Sequence, residues 1–547
     1  MATQSDPIFE TVTAPGTPFE LGVRGGMRRF VNAPSDLGRM LEAARAHGDR
    51  LALVDGDTRL TFGQLFARSD ALAAMLGIAR GDRVAICMRN RAEWMIAFLA
   101  AIRCGGVAAL LNSRGSPAEL CAAIDDVAPA VVLADRDRAA RLREGGFAGR
   151  LIAAADFPAP GDAAPPDVAP AASDDPAAIL FTSGTTGRVK GAVLTHENLI
   201  TGILGMQLSG TMVLHNTAAR LGIPVATILA NLPQQAVMLA VPLFHISGLG
   251  AGFLAPLLAG SKIVMVRRWS AESAAELIGR EQVTMFSGVP TMMWDLVRAG
   301  THRGADLSSL RNVGMGGQAL SVGLLNEFRA ACPEVVMGTG YGMTETSGSV
   351  AMGMGEDFIR KSASAGRALS LVEMRIEGAD GAPLPAGEAG EIVVRGPMVM
   401  QGYWRQPEAT AAVLSPDGWL RTGDIGYLDA EGYLFIVDRA KDMVISGGEN
   451  IYCAEVERII NAMPGVAECA AFGIPDDRLG ELLVARVVGS GFDDAAVIAE
   501  VAEKLARYKA PAAVRVDTAP LPRNDVGKID KRRLREDWIT IMEGTAR

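Results

Sequence analysis

"LFTSGTTGRVKGA", Leu180 to Ala192, sets three glycines, four hydroxyl side chains and a lysine directly behind an apolar run. A loop of this composition presents backbone N–H groups and hydroxyls without steric cost, which suits phosphate oxygens. A Walker A loop reads G-x-x-x-x-G-K-[ST]. Counting from Gly184, the second glycine position is Val189, and the residue after Lys190 is Gly191. The stretch therefore misses the P-loop rule twice. It is either a phosphate clasp of another kind or an ordinary turn, and the rest of the chain has to decide.

The surrounding pattern alternates short apolar runs with amphipathic stretches. "RVAICM" (83–88), "AVVLAD" (130–135) and "AAILFTS" (177–183) read as buried strands, and "AEWMIAFLAAIRCG" (92–105) carries apolar residues at helical spacing. "TMFSGVP" and "VVMGTGYG" read as strands followed by Gly-rich turns. This alternation predicts layered α/β architecture with buried sheets. The Pro/Ala/Asp-rich stretch 157–176 lacks apolar periodicity and reads as an exposed loop leading into the strand at Ala177. Near residue 440 the chain becomes more charged and runs into a compact βαβ-like tail, so a domain boundary is placed there, giving 1–440 and 441–547.

Composition narrows the function classes. A chain of 547 residues holds several domains and a large core. Its formal charge of −9 argues against a nucleic-acid surface, and the short basic run "KRRLRE" from Lys531 reads as a solvated face. Six scattered cysteines without a C-x-x-C pair fit free thiols rather than disulfides or zinc. The N-terminus has neither a basic n-region nor an apolar h-region. Segment 236–260 is long enough to span a bilayer, but its two prolines, its glycines and His245 predict a buried strand, turn and helix instead. A cytoplasmic protein is expected.

Four further segments stand out: "PLFHISG" (242–248), "GTGYGMTETS" (338–347), "GWLRTGDIG" (418–426) and "PRNDVGKIDK" (522–531). With "TSGTTGRVKG", in this order, they resemble the core motifs of the adenylate-forming superfamily, over roughly residues 35 to 535. That superfamily comprises acyl- and aryl-CoA synthetases, peptide-synthetase adenylation domains and luciferases. The resemblance implies a large N-terminal domain of two mixed sheets packed with helices plus a small β-barrel-like region, and a small mobile α+β C-terminal domain.

It also implies site residues. Thr182, Ser183, Gly184, Thr185, Thr186 and Gly187, with Lys190, would hold the β- and γ-phosphates of ATP. The family usually has Pro where this chain has Val189, a change that removes no donor. Tyr341 would face the adenine within Gly340, Gly342 and Met343, with Thr339 and the segment Gly316, Gly317 and Gln318 across from it. Thr339 stands where the family often has Asn, Gln or Asp, so adenine recognition would lean on backbone carbonyls. Thr344 would meet the α-phosphate, and Glu345, a hard oxygen ligand, would hold Mg2+. Asp424 and Arg439 would take the ribose, and Lys528 would bridge the substrate carboxylate and the α-phosphate. Lys441 matches the hinge, and Ser446, Gly447 and Gly448 would line a pantetheine tunnel for CoA.

His245 stands where amino-acid-activating relatives carry Asp, so a plain carboxylic acid is favoured. The expected pocket lining, Ile246, Gly248, Ser287, Gly288, Gly314, Gly316 and Gly340, is apolar or small and points to a hydrophobic acid: fatty, arylpropenoic or ring-bearing. The apolar segment 202–237 reads equally as a wall of the acyl channel or as plain helix packing. No phosphopantetheine segment follows, so CoA is the expected acceptor. An acyl-AMP ligase loading a separate carrier protein and a catalytically silent homologue stay open, and a homodimer is compatible with the sequence.

Overall fold

In the computed structural model the described residues are 6–161, 165–182, 190–303, 306–316, 322–439, 442–446, 449–476, 478–524 and 528–545. Among them the chain builds two large sheets flanked by helices and two smaller sheets toward the C-terminus. The first has seven strands. Its centre is parallel, with Arg83–Cys87 between Val107–Leu110 and Val131–Ala134, and Pro176–Thr182 beyond Val107–Leu110. Val107–Leu110 and Val131–Ala134 are buried at every position, Arg83–Cys87 at all but its first and Pro176–Thr182 through its middle, which is why they read as continuous apolar runs rather than alternating ones.

The second sheet has nine strands. The order across its middle is Val336–Met343, Asn312–Gly316, Met285–Gly288, Ala236–Leu239, Lys262–Met265 and Leu51–Asp55, all parallel. Gly348–Met354 continues one side antiparallel to Val336–Met343, with the short strand Arg367–Ala368 beyond it. Segment 236–260 is a strand, a turn and short helical pieces inside this layer, as its prolines and glycines predict. "VMGTGYGM", however, does not break into a turn after its apolar start. It stays a strand through Met343, because Gly338 lets the neighbouring backbone approach closely: a Cβ there would lie 3.0 Å from the Gly353 carbonyl.

Local signals place the helices. Thr61 and Gln64 form a capping box at Phe62–Leu76, which ends at Gly77 in the left-handed region. Thr195 and Asn198 do the same for His196–Leu221. The Asn198 side chain, buried, also donates to the carbonyls of Pro397 and Val399, both at 2.9 Å. Between the layers Trp94 stacks on Phe98 at 5.7 Å and meets Phe253 edge-on. Among the described residues no helix is long and apolar enough to cross a membrane.

Beyond the nine-stranded sheet lies a four-stranded antiparallel sheet ending with Leu420–Leu428 and Leu434–Arg439. The last sheet has five strands. Gly480–Gly489 pairs antiparallel with Val466–Asp476 and, through the helix Asp494–Lys504, parallel with Ala513–Asp517, which is the βαβ unit expected of the tail. The helix Lys531–Thr545 covers this sheet, with Leu534 and Trp538 buried against Phe472 and Val484.

Candidate active site

The strands Pro176–Thr182 and Lys190–Thr195 pair antiparallel, with Thr182 opposite Lys190, so the Gly/Thr loop joins the two arms of a hairpin. A P-loop runs from a strand into a helix N-terminus. Here the exit is a strand, which is the structural reason the Walker spacing fails. Ser183, Gly184, Thr185, Thr186, Gly187 and Val189 lie outside the described residues; Thr182 and Lys190 mark where the loop leaves and returns.

Glu345 sits in the single helical turn Thr344–Thr346 that follows Val336–Met343, and only 7% of its surface is exposed. Its backbone carbonyl accepts from Met400 N at 2.8 Å. Its carboxylate Oε1 accepts from Thr182 Oγ1 at 3.4 Å and from the phenol of Tyr403 at 2.9 Å. Lys190 Nζ stands 4.9 Å from the centre of the Tyr403 ring. Burial, reinforced by the neighbouring Glu345 charge and the hydrogen bond to it, pushes the Tyr403 phenol well above its usual range, so it stays a donor. Two expected residues, Thr182 and Glu345, thus meet, with Lys190 beside them. Tyr403 was not singled out from the sequence; its signal was the Gly–aromatic pair in "QGYW", which has no motif spacing of its own.

Among the described residues no group of three or more His, Cys, Asp or Glu side chains gathers to enclose a metal. One buried carboxylate beside a phosphate-type loop suits Mg2+, which is held by one or two protein carboxylates together with phosphate oxygens and waters.

Tyr341 and Asp424 meet directly. The Tyr341 phenol donates to Asp424 Oδ2 at 2.7 Å, and both side chains are buried. Asp424 N donates to Thr422 Oγ1, and Asp424 lies opposite Arg439 across the ladder, so the two expected ribose residues share a register position. In the parallel ladder Thr339 pairs with Met315 and Gly340 with Gly316. Thr339 and Tyr341 therefore face one side of the sheet and Gly340 the other. Gly342 and Met343 close the strand, and Thr344 is half-buried in the turn beside Glu345. Gly317 and Gln318 lie outside the described residues.

On the Gly340 side, a Cβ would sit 3.1 Å from Ser349 Oγ and 3.7 Å from the Ala351 carbonyl. Ser349 also lines a narrow cleft together with Gly202, Gly205 and Leu208 of the long helix, Leu371 and Met398. The start of segment 202–237 is thus a cleft wall as well as packing. Its later part, Val225–Asn231, is a short helix with no buried residue. Ser287 pairs with Gly314 in the sheet, and a Cβ on Gly314 would meet Ser287 Oγ at 2.6 Å. His245 precedes the short helix Ile246–Leu249, half-buried, with its ring 4.4 Å from Phe244. Gly248, three residues after His245, and Gly288, next to Ser287, are both buried.

Lys528 is carried on a closed loop. Its N–H donates to Asn524 Oδ1 at 3.0 Å, its carbonyl accepts from Asn524 N at 2.8 Å, and Arg523 bridges to Ile529. Ion pairs anchor both ends: Arg523 to Glu468, and Lys531 Nζ to Glu457 at 2.8 Å. Lys531 therefore pairs inward instead of decorating a solvated face. Glu457 holds it charged, against burial, and pushes its ammonium well up. Ser446 pairs with Gly480 on one side and Glu449 on the other in the last sheet. Lys441, Gly447 and Gly448 lie outside the described residues, and of Arg439 only the backbone is described.

The model of the AMP-binding enzyme family matches residues 40–404, and that of the AMP-binding enzyme C-terminal domain matches residues 455–528. A feruloyl-CoA synthase of an Amycolatopsis species is 38% identical over 500 residues, covering 90% of this chain and 96% of its own length. The long-chain-fatty-acid–CoA ligase FadD13 of Mycobacterium tuberculosis is 33% identical, covering 89% of this chain and 94% of its own. The solved structure of an O-succinylbenzoate coenzyme A synthetase from Bacillus subtilis, in complex with ATP and magnesium ion, superposes with a TM-score of 0.75 at 33% identity, covering 91% of this chain and 98% of that one.

Proposed function

The chain belongs to the AMP-binding enzyme family, and from that premise we propose that it is an ATP-dependent acid–CoA ligase acting on a hydrophobic carboxylic acid. One observation carries the reading: the buried Glu345 carboxylate is set against Thr182 and beside Lys190, the two residues from which the Gly/Thr loop leaves and to which it returns. That arrangement gathers donors, a cation and a hard anionic oxygen where a triphosphate would lie. Mg2+, when bound through Glu345, neutralises phosphate charge.

In the first half-reaction an oxygen of the acid attacks the α-phosphorus of ATP. The bond to the bridging oxygen breaks, pyrophosphate leaves, and an acyl-AMP results. Two anions must approach in line, so positioning and charge neutralisation carry the rate. Thr182, the loop and Lys190 take the leaving pyrophosphate, Tyr341 and Asp424 the nucleoside, and Lys528 the carboxylate and α-phosphate. In the second half-reaction the CoA thiolate attacks the acyl carbonyl, the C–O bond to phosphate breaks, and AMP leaves. The segment after 440 is read as a mobile domain that turns about Lys441 between the two steps, with Ser446 to Gly448 beside the pantetheine arm. We place the protein in the cytoplasm, where its six free thiols stay reduced.

The acid pocket is read on the Gly340 side of the sheet, where Gly316 has ordinary clearance, Gly340 closely meets only a hydroxyl that can rotate, and the cleft wall is apolar with a few hydroxyls. The test is a panel of fatty, cinnamic, benzoic and steroid-like acids, scored for pyrophosphate release and then for CoA thioester. Release followed by thioester is the expected result. Release without thioester would move the acceptor to a carrier protein, and ATP binding without release from any acid would overturn the enzyme reading.

A further inference from the structure

Among the described residues Tyr403 touches both Glu345 and Lys190, and neither the motifs nor the reaction scheme uses it. It lies 58 residues from Glu345 in the chain, yet its phenol reaches Oε1 of that carboxylate at 2.9 Å. Among the described residues both hydrogen-bond donors to the carboxylate, Tyr403 and Thr182, converge on Oε1 and none reaches Oε2. The other face of the contact is the ring, with Lys190 Nζ 4.9 Å from its centre.

The backbone around Tyr403 is tied so that this reach is reproducible. Gly402–Tyr403 pairs antiparallel with the loop's exit strand, Tyr403 opposite Ala192. Trp404 N donates to the Gly191 carbonyl at 2.7 Å, and Tyr403 N donates to Thr410 Oγ1 at 2.8 Å. Gly191 has no room for a side chain beneath this strap, since a Cβ would lie 2.8 Å from Ile179 Cγ2. The tyrosine is therefore held by the strand that begins at Lys190 and in turn holds a carboxylate on the turn that links two strands of the nine-stranded sheet.

We propose that Tyr403 is a positioning residue for the metal-bearing carboxylate: its O–H fixes one oxygen of Glu345 and leaves the other for the cation, while its ring steadies the Lys190 ammonium. Two physical arguments support it. A glutamate side chain, with three torsions, loses entropy when it binds a cation, and a hydrogen bond that pre-sets its rotamer removes part of that cost before binding. Hydrogen-bond partners of metal ligands typically matter by roughly 10- to 100-fold in metal affinity or activity. An ammonium over an aromatic face is held without being neutralised, so Lys190 keeps its full charge for phosphate.

The inference rests on Glu345 being the Mg2+ ligand, and the test separates the two. In the full-length protein, Mn2+ binding in the presence of ATP is followed by the electron paramagnetic resonance of free Mn2+, alongside the Mg2+ dependence of pyrophosphate release. Tyr403→Phe keeps the ring and loses the O–H; it should raise the half-saturating metal concentration roughly tenfold or more. ATP binding in excess chelator should change less than about twofold, since the ring under Lys190 remains. Tyr403→Leu should add a several-fold loss of metal-free ATP binding. A wild-type metal dependence in Tyr403→Phe, with only a lowered melting temperature, would make the tyrosine a packing residue and overturn the inference. If Glu345→Gln itself leaves the Mn2+ titration unchanged, the ligand assignment fails instead.

Discussion

The phenol of Tyr341 donates a 2.7 Å hydrogen bond to Oδ2 of Asp424, across 83 residues of chain and between two sheets. Adenine and ribose are adjacent parts of one nucleoside, and the residues proposed to meet them are already joined in the protein. Tyr341→Phe keeps the aromatic face but strips a buried carboxylate of a donor, a change of about 1.5–3 kcal/mol for a hydrogen bond to a charged group. The expected result is a KM for ATP raised about tenfold, corresponding to roughly 1.4 kcal/mol, with the KM for the acid unchanged. Initial rates with each substrate varied in turn decide it; equal rises in both would show a general loosening of the site.

Lys528→Ala should separate the half-reactions. The loop that carries it is closed by the reciprocal Asn524–Lys528 hydrogen bonds and clamped by Arg523–Glu468 and Lys531–Glu457, none of which needs the Lys528 ammonium. Removing the ammonium should therefore leave the loop's frame in place and cost the adenylation step about 100-fold or more, on the scale of one lost transition-state contact. CoA thioester formation from a supplied acyl-adenylate should stay near wild type. Equal loss in both assays would count against the assigned role.

These residues differ in how visible they are in sequence, and the reasons are physical. Strands buried on both faces, such as Val131–Ala134, announce themselves as apolar runs, and the capped helices announce their first turns. The Gly-rich strand Val336–Met343 does not, since glycine is a poor strand former by propensity and earns its place here through close backbone approach. Lys190, Tyr341, Glu345, Asp424 and Lys528 stand out because each sits in a short motif. Tyr403 does not, because its importance lies in a contact to Glu345 made by folding rather than by spacing.

Acid sensitivity should have a traceable component at Glu281. Its carboxylate, 4% exposed, receives Arg59 at 2.9 and 3.0 Å and Lys262 Nζ at 3.3 Å. The Arg59 hydrogen bonds lead in holding it down at about 2 against burial. A folded-state value below the unfolded one stabilises the fold above the unfolded value, ~4.3 for Glu, and the contribution is lost as pH falls toward about 2. Its size is on the order of 3 kcal/mol. Urea unfolding of wild type and Glu281→Gln across this range should show a stability gap that is constant above roughly pH 4.5 and shrinks steadily below it. A gap independent of pH would remove the ion pair from the account of acid unfolding.

Gly340 offers the sharpest handle on which acid is accepted. It faces away from Thr339 and Tyr341, on the side of the sheet that carries Ser349 and the cleft beneath Gly202 and Gly205. A Cβ at this position would come to 3.1 Å from Ser349 Oγ, a contact that a hydroxyl rotation can relieve, so Gly340→Ala should fold. A leucine has no such relief and must extend into the space read as the acyl channel. Gly340→Leu should therefore leave the KM for ATP within about twofold while kcat/KM falls by roughly 10- to 200-fold for the longest or bulkiest acids, the range one to three kcal/mol of lost pocket contact gives. Short acids should keep most of their rate, which shifts the profile toward them. An unchanged chain-length and ring-size profile in a well-folded Gly340→Leu protein would place the acid on the other face of the sheet.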